Sequence, residues 1–264
     1  EEVGTGTNIS DTQVISQITT LNNDYRKKSG TRGFNTNPVG ADANIEFALA
    51  VRDPNGNPTN GIDRISYNKD FWDEAAVETE LKPNTIWDPT KYLNIWVVNF
   101  GGDLDGVLGY AQFPEASTLD GLNYPPFTAN TDGVVIGHQF FGNLDYDDGS
   151  FNLDPKYGYG RTTTHEIGHW LGLRHIWGDD TCGTDYVADT PVHKTENYGC
   201  FTHPKPNTCT PATADEMFEN YMDYTNDDCM NIFTINQVDR FNAVLANSPR
   251  RKELLTSNAL TPVT

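Results

Sequence analysis

The sequence predicts a mixed α/β fold of the α+β type, with a twisted, mostly parallel sheet and two long helices in an upper lobe. Three features support this prediction: a capped amphipathic segment near the amino terminus, several β-branched runs in the first half of the chain, and a histidine-rich amphipathic segment further on. A chain of 264 residues can bury a sizeable core. We expect one domain over residues 1–264, with an upper lobe over about 1–175 and a lower lobe over about 176–264.

The first predicted element is a helix that begins at Ser10 or Asp11, because either side chain can cap a helix amino terminus. Apolar residues then recur every three to four positions, which is the period of one buried helix face. These residues are Val14, Ile18, Leu21 and Tyr25. The segment RKKSG follows and marks the end of the helix.

Several strands are predicted after this helix. Residues 44–51 alternate between apolar and polar side chains, which is typical of a strand with one buried face. Residues 92–100 are β-branched and aromatic, and they are apolar on both faces at their centre, as expected for an inner strand. Residues 106–114 and 133–142 indicate two further strands, of which the first could bind an extended peptide along the rim. Residues 70–80 fit either a short helix or a loop.

The most informative segment is HEIGHWLGLRH at 165–175. A helix advances about 100° and 1.5 Å per residue, so His165 and His169 fall on one face, roughly one turn apart, and can share a metal ion. In an unbroken helix His175 would lie about 15 Å along the axis from His165 and point away. Gly172 permits the left-handed conformation that ends a helix, so the chain can turn back and bring His175 to the same ion.

Three neutral imidazoles leave the fourth tetrahedral position to water, which is the arrangement of a catalytic zinc site. Glu166 follows the first ligand and is placed to take the proton of that water. Three of the six histidines of the chain lie within these eleven residues, which argues against a chance cluster on a core helix. The motif therefore predicts zinc-dependent hydrolysis.

A methionine turn is predicted downstream, where residues 220–224 read NYMDY. Met222 is placed to pass beneath the three imidazoles, as the extended zinc motif requires. Thr234 can then cap a last helix. That helix would pack beneath the turn through Val238, Phe241 and Leu245 and close the lower lobe.

All four cysteines follow the zinc motif, in a loop-rich stretch: Cys182, Cys200, Cys209 and Cys229. Their position suggests two disulfides, for which three pairings are possible. Disulfides imply an oxidising compartment. A second zinc site with four thiolates is disfavoured, because no C-x-x-C pair exists.

These features resemble those of the metzincin metallopeptidases and, within that clan, of the pappalysin family, which includes bacterial and archaeal ulilysin-type enzymes. The resemblance spans nearly the whole chain and rests on the zinc motif, the Met222 turn followed by Tyr224, the four cysteines and the segment DYVADTP at 185–191. It implies a metzincin-type catalytic domain with an irregular, disulfide-stapled lower lobe. It also implies a pairing of Cys182 with Cys209 and of Cys200 with Cys229.

The resemblance assigns further roles. Tyr224 would donate a hydrogen bond to the oxyanion that forms at the peptide carbonyl. Carboxylates and hydroxyls crowd the acidic loop 179–190, and related enzymes hold calcium in the corresponding loop, so Asp185, Thr190 and Asp189 are the expected ligands. Asp228 would lie at the floor of the pocket for the residue after the scissile bond, where a buried carboxylate favours Arg or Lys. A loop-capping role is the alternative for Asp228.

The charge balance bears on partners and location. The chain has 18 basic and 37 acidic residues and a formal charge of −19, which argues against nucleic acid and anionic membrane surfaces as partners. No apolar run of about 18 residues is present, so we expect no membrane span. The start EEVGTGTNIS lacks the features of a signal peptide. We therefore expect a secreted, mature form from which a signal and a pro-segment have been removed.

The sequence thus predicts a zinc endopeptidase that acts on protein or peptide substrates through a zinc-activated water and prefers Arg or Lys after the scissile bond. Two alternatives stay open. One is a zinc hydrolase that acts on another amide substrate, such as peptidoglycan or small peptides. The other is a non-catalytic binding module on the same fold, although such a module would be expected to lack Glu166 or a ligand.

Overall fold

Three longer helices organise the molecule in the computed structural model, which describes residues 1–122, 127–209 and 215–263. They are α1 (Asp11–Tyr25), α4 (Arg161–Trp170) and α5 (Ile235–Asn247). A continuous helical stretch lies between α1 and α4 and consists of α2 (Glu74–Ala76), a π-helical segment (Val77–Leu81) and α3 (Lys82–Thr85). No helix of the described residues has the length and apolar character needed to cross a membrane.

Side-chain caps fix where the long helices begin. Ser10 accepts a hydrogen bond from the Gln13 amide at the start of α1, so Ser10 rather than Asp11 is the cap. Thr234 and Gln237 form a reciprocal capping box at the start of α5, as the sequence predicted for Thr234. Asp73 caps the helical stretch at 74–85, which settles the choice left open for residues 70–80 in favour of a helix.

The described sheet has three strands in the order β1, β3, β2, with β1 at Ile95–Val98, β2 at Gly109–Ala111 and β3 at Val134–Gly137. β1 runs parallel to β3 over four residue pairs, and β2 runs antiparallel to β3 over three. Every residue of the central strand β3 is buried. The predicted mixed α+β fold is confirmed, and β2 lies at the edge of this small sheet.

The strand predicted over residues 44–51 is wrong. This segment belongs to no strand of the described sheet, and its backbone hydrogen bonds go to other parts of the chain. The side chain of Asn22 on α1 exchanges two hydrogen bonds with the main chain of Phe47, at 2.7 and 2.9 Å, and the Val51 amide donates to Ala259 O. The alternating pattern of this segment arises from core packing and not from strand pairing, since Ile45 and Phe47 pack against the main core.

A buried ion pair and two hydrogen bonds hold α4 against α1. Arg161 Nη2 lies 3.1 Å from Asp24 Oδ1, and both side chains are almost fully buried. The other carboxylate oxygen of Asp24 accepts from the Thr164 hydroxyl at 2.7 Å, while the Tyr25 hydroxyl donates to Thr164 O. These contacts fix the position of the helix that carries the histidines.

A second buried ionic cluster holds the other end of α4. Asp132 accepts hydrogen bonds from Trp170 Nε1 at 3.0 Å and from the guanidinium groups of Arg250 and Arg251. Arg251 also donates to Trp170 O, and its guanidinium carbon lies 3.7 Å from the centre of the Trp170 ring. The carboxyl-terminal segment thereby satisfies the last turn of α4.

Candidate active site

The turn after α4 has the conformation that the motif predicted. The helix ends at Trp170, and Gly172 has a φ of +91°. A Cβ atom at Gly172 would lie 2.8 Å from Val244 Cγ2 on α5, so backbone conformation and packing both call for glycine. Arg240, also on α5, donates to Gly172 O from Nε and Nη2, at 3.1 and 2.9 Å. The chain therefore reverses at a rigidly held position.

The reversal brings His165, His169 and His175 together. One ring nitrogen from each lies within 4.8 Å of the other two, and the Nε2 atoms of His169 and His175 are 3.1 Å apart. The Nδ1 atoms of His165 and His169 face main-chain oxygens at 2.7 and 2.8 Å, and that of His175 faces the carboxylate of Asp179. Because these oxygens only accept hydrogen bonds, each Nδ1 carries a proton, and in the neutral ring the remaining Nε2 presents a lone pair.

This arrangement fits a zinc ion. Lone pairs on nitrogen atoms 3.1 Å apart repel each other unless a cation lies between them, and tetrahedral zinc places its nitrogen ligands about 3.3 Å apart. Burial lowers the pKa of His165 to about 3 and also lowers that of His169, so both rings are neutral, as ligands must be. In the described parts of the chain, the other potential metal-binding cluster is Cys200, Asp228 and Cys229, whose thiols are joined in a disulfide.

Glu166 lies between the histidines and the edge of the sheet. Its side chain is buried, and burial raises its pKa to about 8. A Cβ atom at Gly109 of β2 would lie 3.0 Å from Glu166 Cγ, so the edge strand passes directly beside this carboxylate. Glu166 therefore lies beside the edge strand of the described sheet.

Met222 packs directly beneath α4. It is fully buried, and a Cβ atom at Gly168 would lie 2.5 Å from its Sδ atom. The preceding residue, Tyr221, supplies the carbonyl oxygen that accepts from His165 Nδ1. Met222 O accepts from the Ile176 amide at 3.1 Å. The turn thus supports both the first ligand and the segment just after the third.

The side chain of Tyr224 lies next to the three histidines. Its hydroxyl lies 3.0 Å from His175 Nε2, and burial followed by the charge of Glu166 raises its pKa well above the usual value. Its ring packs edge-on against Trp177, 4.8 Å between centroids, and lies 6.0 Å from that of Tyr198. Neither Trp177 nor Tyr198 belongs to the residues predicted from the sequence. An aromatic two residues after the last histidine was the available signal for Trp177.

Two disulfides cross-link the segment between α4 and α5. Cys182 pairs with Cys209 and Cys200 with Cys229, with Cα atoms 5.6 and 5.8 Å apart. This is the pairing that the resemblance implied. Apart from the short helical turn Asp227–Cys229, the described residues between α4 and α5 form no regular helix or strand.

The structure brings together only two of the three predicted calcium ligands. Asp185 is 5% exposed and accepts a hydrogen bond from the Thr190 hydroxyl at 2.8 Å. Burial raises the pKa of Asp185 to about 6. Asp189 instead faces the start of α5, where its two oxygens accept from the Thr234 hydroxyl and the Asn236 amide at 2.6 and 3.0 Å.

Asp228 is exposed, so the expectation of a buried carboxylate is wrong. In the short helical turn it is Asp227 that points inward, where it accepts from the amides of Tyr159 and Arg161 at the start of α4. Asp228 lies beside the second disulfide, with Oδ1 3.4 Å from Cys200 Sγ.

Comparisons of the sequence with known proteins identify relatives over most of the chain. Residues 76–246 match the model of peptidase family M43, described as pregnancy-associated plasma protein-A. An extracellular metalloprotease of Colletotrichum graminicola is 34% identical over 209 residues, which cover 78% of this chain and 64% of that protein. One from Arthroderma otae is 31% identical over 248 residues, or 90% of this chain and 72% of that protein. The chain thus spans slightly less than two thirds of the first relative.

Two solved structures from one organism are also similar to this chain. Mature mirolysin of Tannerella forsythia, in complex with a cleaved peptide, is 43% identical and has a TM-score of 0.81 over 97% of this chain and 92% of that chain. A promirolysin mutant from the same organism is 42% identical, also with a TM-score of 0.81, over 97% and 81% of the two chains. Together with the three histidines on a glycine-broken helix and the family match over residues 76–246, these likenesses lead to one conclusion. The chain belongs to the pappalysin metalloendopeptidases, peptidase family M43.

Proposed function

We propose that this chain is an extracellular zinc endopeptidase that cleaves peptide bonds within unfolded or extended protein segments. The observation that carries the proposal is the convergence of three Nε2 lone pairs at one point, with Glu166 on one side and the Tyr224 hydroxyl, 3.0 Å from His175 Nε2, on the other. Relatives named extracellular metalloproteases and two disulfides support an extracellular location.

The residues divide the chemistry among them. When bound by His165, His169 and His175, zinc supplies Lewis-acid polarisation and makes water more acidic. A divalent cation bound beside Glu166 would offset the effect of burial on its pKa and favour the ionised carboxylate. In that form Glu166 accepts the proton of the attacking water and later passes it to the leaving amine. Tyr224 is protonated at neutral pH, as an ordinary tyrosine is, and burial raises its pKa further. Its hydroxyl donates a hydrogen bond to the oxyanion.

The edge strand supports an extended peptide as the substrate. Within the described sheet β2 pairs only with β3, so its other side can pair with a substrate backbone. Gly109 of β2 packs against Glu166, so such a peptide would pass next to the candidate base. Mirolysin was solved with a cleaved peptide, which is consistent with this class of substrate.

Asp228 is proposed to select Arg or Lys after the scissile bond. The Cys200–Cys229 disulfide links Asp228 to the candidate site. Asp228 contacts Cys200, which lies two residues after Tyr198. The Tyr198 ring in turn lies 6.0 Å from that of Tyr224. An exposed carboxylate attracts a cationic side chain and can bind Arg through two hydrogen bonds.

Digestion of a peptide library, with mass spectrometry of the new amino termini, tests activity and preference together. Wild-type protein should cleave internal bonds, with Arg or Lys enriched after the cut. Asp228→Ala should lower that enrichment by about 10-fold, which corresponds to the loss of one charge-assisted pair. Asp70→Ala, a change in a remote exposed carboxylate, should not alter it. Cleavage without any effect of Asp228→Ala would refute the pocket assignment alone, whereas no cleavage of any peptide by the metal-loaded wild type would refute the endopeptidase.

A calcium ion is proposed at Asp185 and Thr190. Asp185 is buried with a raised pKa, so a cation would favour its ionised form, and the Thr190 hydroxyl oxygen lies 2.8 Å away. Asp189 is the weakest member of the set, because its oxygens already accept bonds at the start of α5.

Removal of calcium in a zinc-buffered solution should lower the melting temperature by several degrees, because a ligand at 100 times its Kd stabilises the folded state by about 2.7 kcal/mol. Added calcium should restore the melting temperature in wild type and not in Asp185→Asn. If elemental analysis shows that calcium has been removed and the melting temperature is unchanged, the proposed calcium site is refuted.

A further inference from the structure

The third histidine is held differently from the other two. His165 and His169 lie on α4, and main-chain oxygens orient their rings. His175 lies beyond the Gly172 turn, outside any regular element, and its Nδ1 atom faces the side chain of Asp179. It is therefore the one ligand of the three whose orientation depends on a side chain that can be replaced.

Trp177 restrains the same imidazole in a second direction. The Trp177 and His175 rings stack with centroids 4.3 Å apart and planes only 6° from parallel. Stacking fixes the plane of the His175 ring, and the hydrogen bond from Nδ1 to Asp179 fixes its rotation within that plane. Together the two contacts leave Nε2 directed at the point where the other two imidazoles converge.

Asp179 is itself held in place. Its second carboxylate oxygen accepts from Arg174 Nη2 at 3.1 Å, and Arg174 also donates to Gly178 O. Gly178 and Asp179 have left-handed backbones, with φ of +70° and +61°, and a Cβ atom at Gly178 would overlap the main chain of Thr184. This tight turn points the carboxylate back at His175.

We propose that Asp179, with Trp177 behind the ring, is the positioning residue that makes His175 a ligand. Its negative charge also stabilises the protonated Nδ1 and makes Nε2 a stronger donor toward a divalent cation. The inference rests on the proposed zinc site and adds to it a residue that acts through His175.

The test compares the zinc affinity of Asp179→Ala with that of the wild type, measured by competition with a chelator of known affinity. We expect about a 10- to 100-fold weaker affinity, the range observed when a partner of a ligating histidine is removed. Asp179→Asn should fall between the two, because its amide oxygen still accepts from Nδ1 but carries no charge. Asp180→Ala is the matched control, since the Asp180 carboxylate accepts from the Thr181 amide and is exposed.

Two further readouts separate positioning from general damage. In the metal-free state, Asp179→Ala should melt within about 2 °C of the wild type, because the Asp179 side chain is 41% exposed and such pairs contribute little to stability. In the cobalt-substituted state, its visible absorption should shift, because one ligand is no longer held in place. Wild-type zinc affinity and an unchanged cobalt spectrum in Asp179→Ala would overturn the inference. Absence of zinc binding by the wild type would instead refute the proposed function.

Discussion

Replacement of Glu166 by glutamine should reduce kcat by about 100- to 10,000-fold, the usual contribution of a general base, while the zinc content stays at the wild-type level. The amide has nearly the same shape as the carboxylate but cannot accept a proton. The three imidazoles do not depend on Glu166 for their orientation, because their Nδ1 atoms face Tyr221 O, Leu173 O and Asp179. Turnover of a fluorogenic peptide and elemental analysis measure the two quantities.

The matched control is Glu46→Gln, which removes a carboxylate from an exposed ion pair with Arg26. It should leave kcat unchanged within a factor of two. A Glu166→Gln variant that turns over at a rate close to that of the wild type would exclude Glu166 as the base. Tyr224 would then be the residue to examine next, because its hydroxyl also lies at the convergence point.

Replacement of Asp132 by alanine should lower the free energy of unfolding by about 3–5 kcal/mol, the cost of leaving buried charges without their partner. Asp132 is 2% exposed and accepts from Arg250, Arg251 and Trp170 Nε1. The Arg251 guanidinium is also nearly fully buried, and burial lowers its pKa to about 10. Without the carboxylate, Arg251 would have to stay charged in the core or move away from the end of α4.

Urea denaturation of the metal-loaded protein measures this effect. Asp105→Ala, which removes an exposed carboxylate from the loop before β2, should change stability by less than about 0.5 kcal/mol. A loss below 1 kcal/mol in Asp132→Ala would mean that the cluster contributes little to holding α4. The Asp24 and Arg161 pair would then be the principal ionic contact of that helix.

The parts of this molecule that could be predicted from the sequence are those encoded over short distances. The spacing of His165, His169 and His175 around Gly172 predicts that these three residues converge, because helix periodicity and one left-handed residue determine where the chain carries them. The caps at Ser10 and Thr234 are likewise contacts across three residues. The structure agrees with the prediction at each of these positions.

The parts that could not be predicted depend on contacts between distant segments. The alternating pattern over residues 44–51 indicates which side chains face the core. It does not indicate that the main chain of Phe47 bonds to the Asn22 side chain of α1 and not to a neighbouring strand. Asp189 belongs to an acidic loop in the sequence, yet it reaches α5 in the fold. Asp179 is one acid of the same loop, and nothing in its spacing indicates that a tight turn returns it to His175.

A crystal structure of the zinc-loaded protein, with anomalous scattering measured at the zinc absorption edge, tests the central claim most directly. We expect one zinc ion per chain, bound by the Nε2 atoms of His165, His169 and His175 at about 2.0–2.1 Å. A His175 ring that turns toward solvent, or an anomalous peak elsewhere in the chain, would contradict the account.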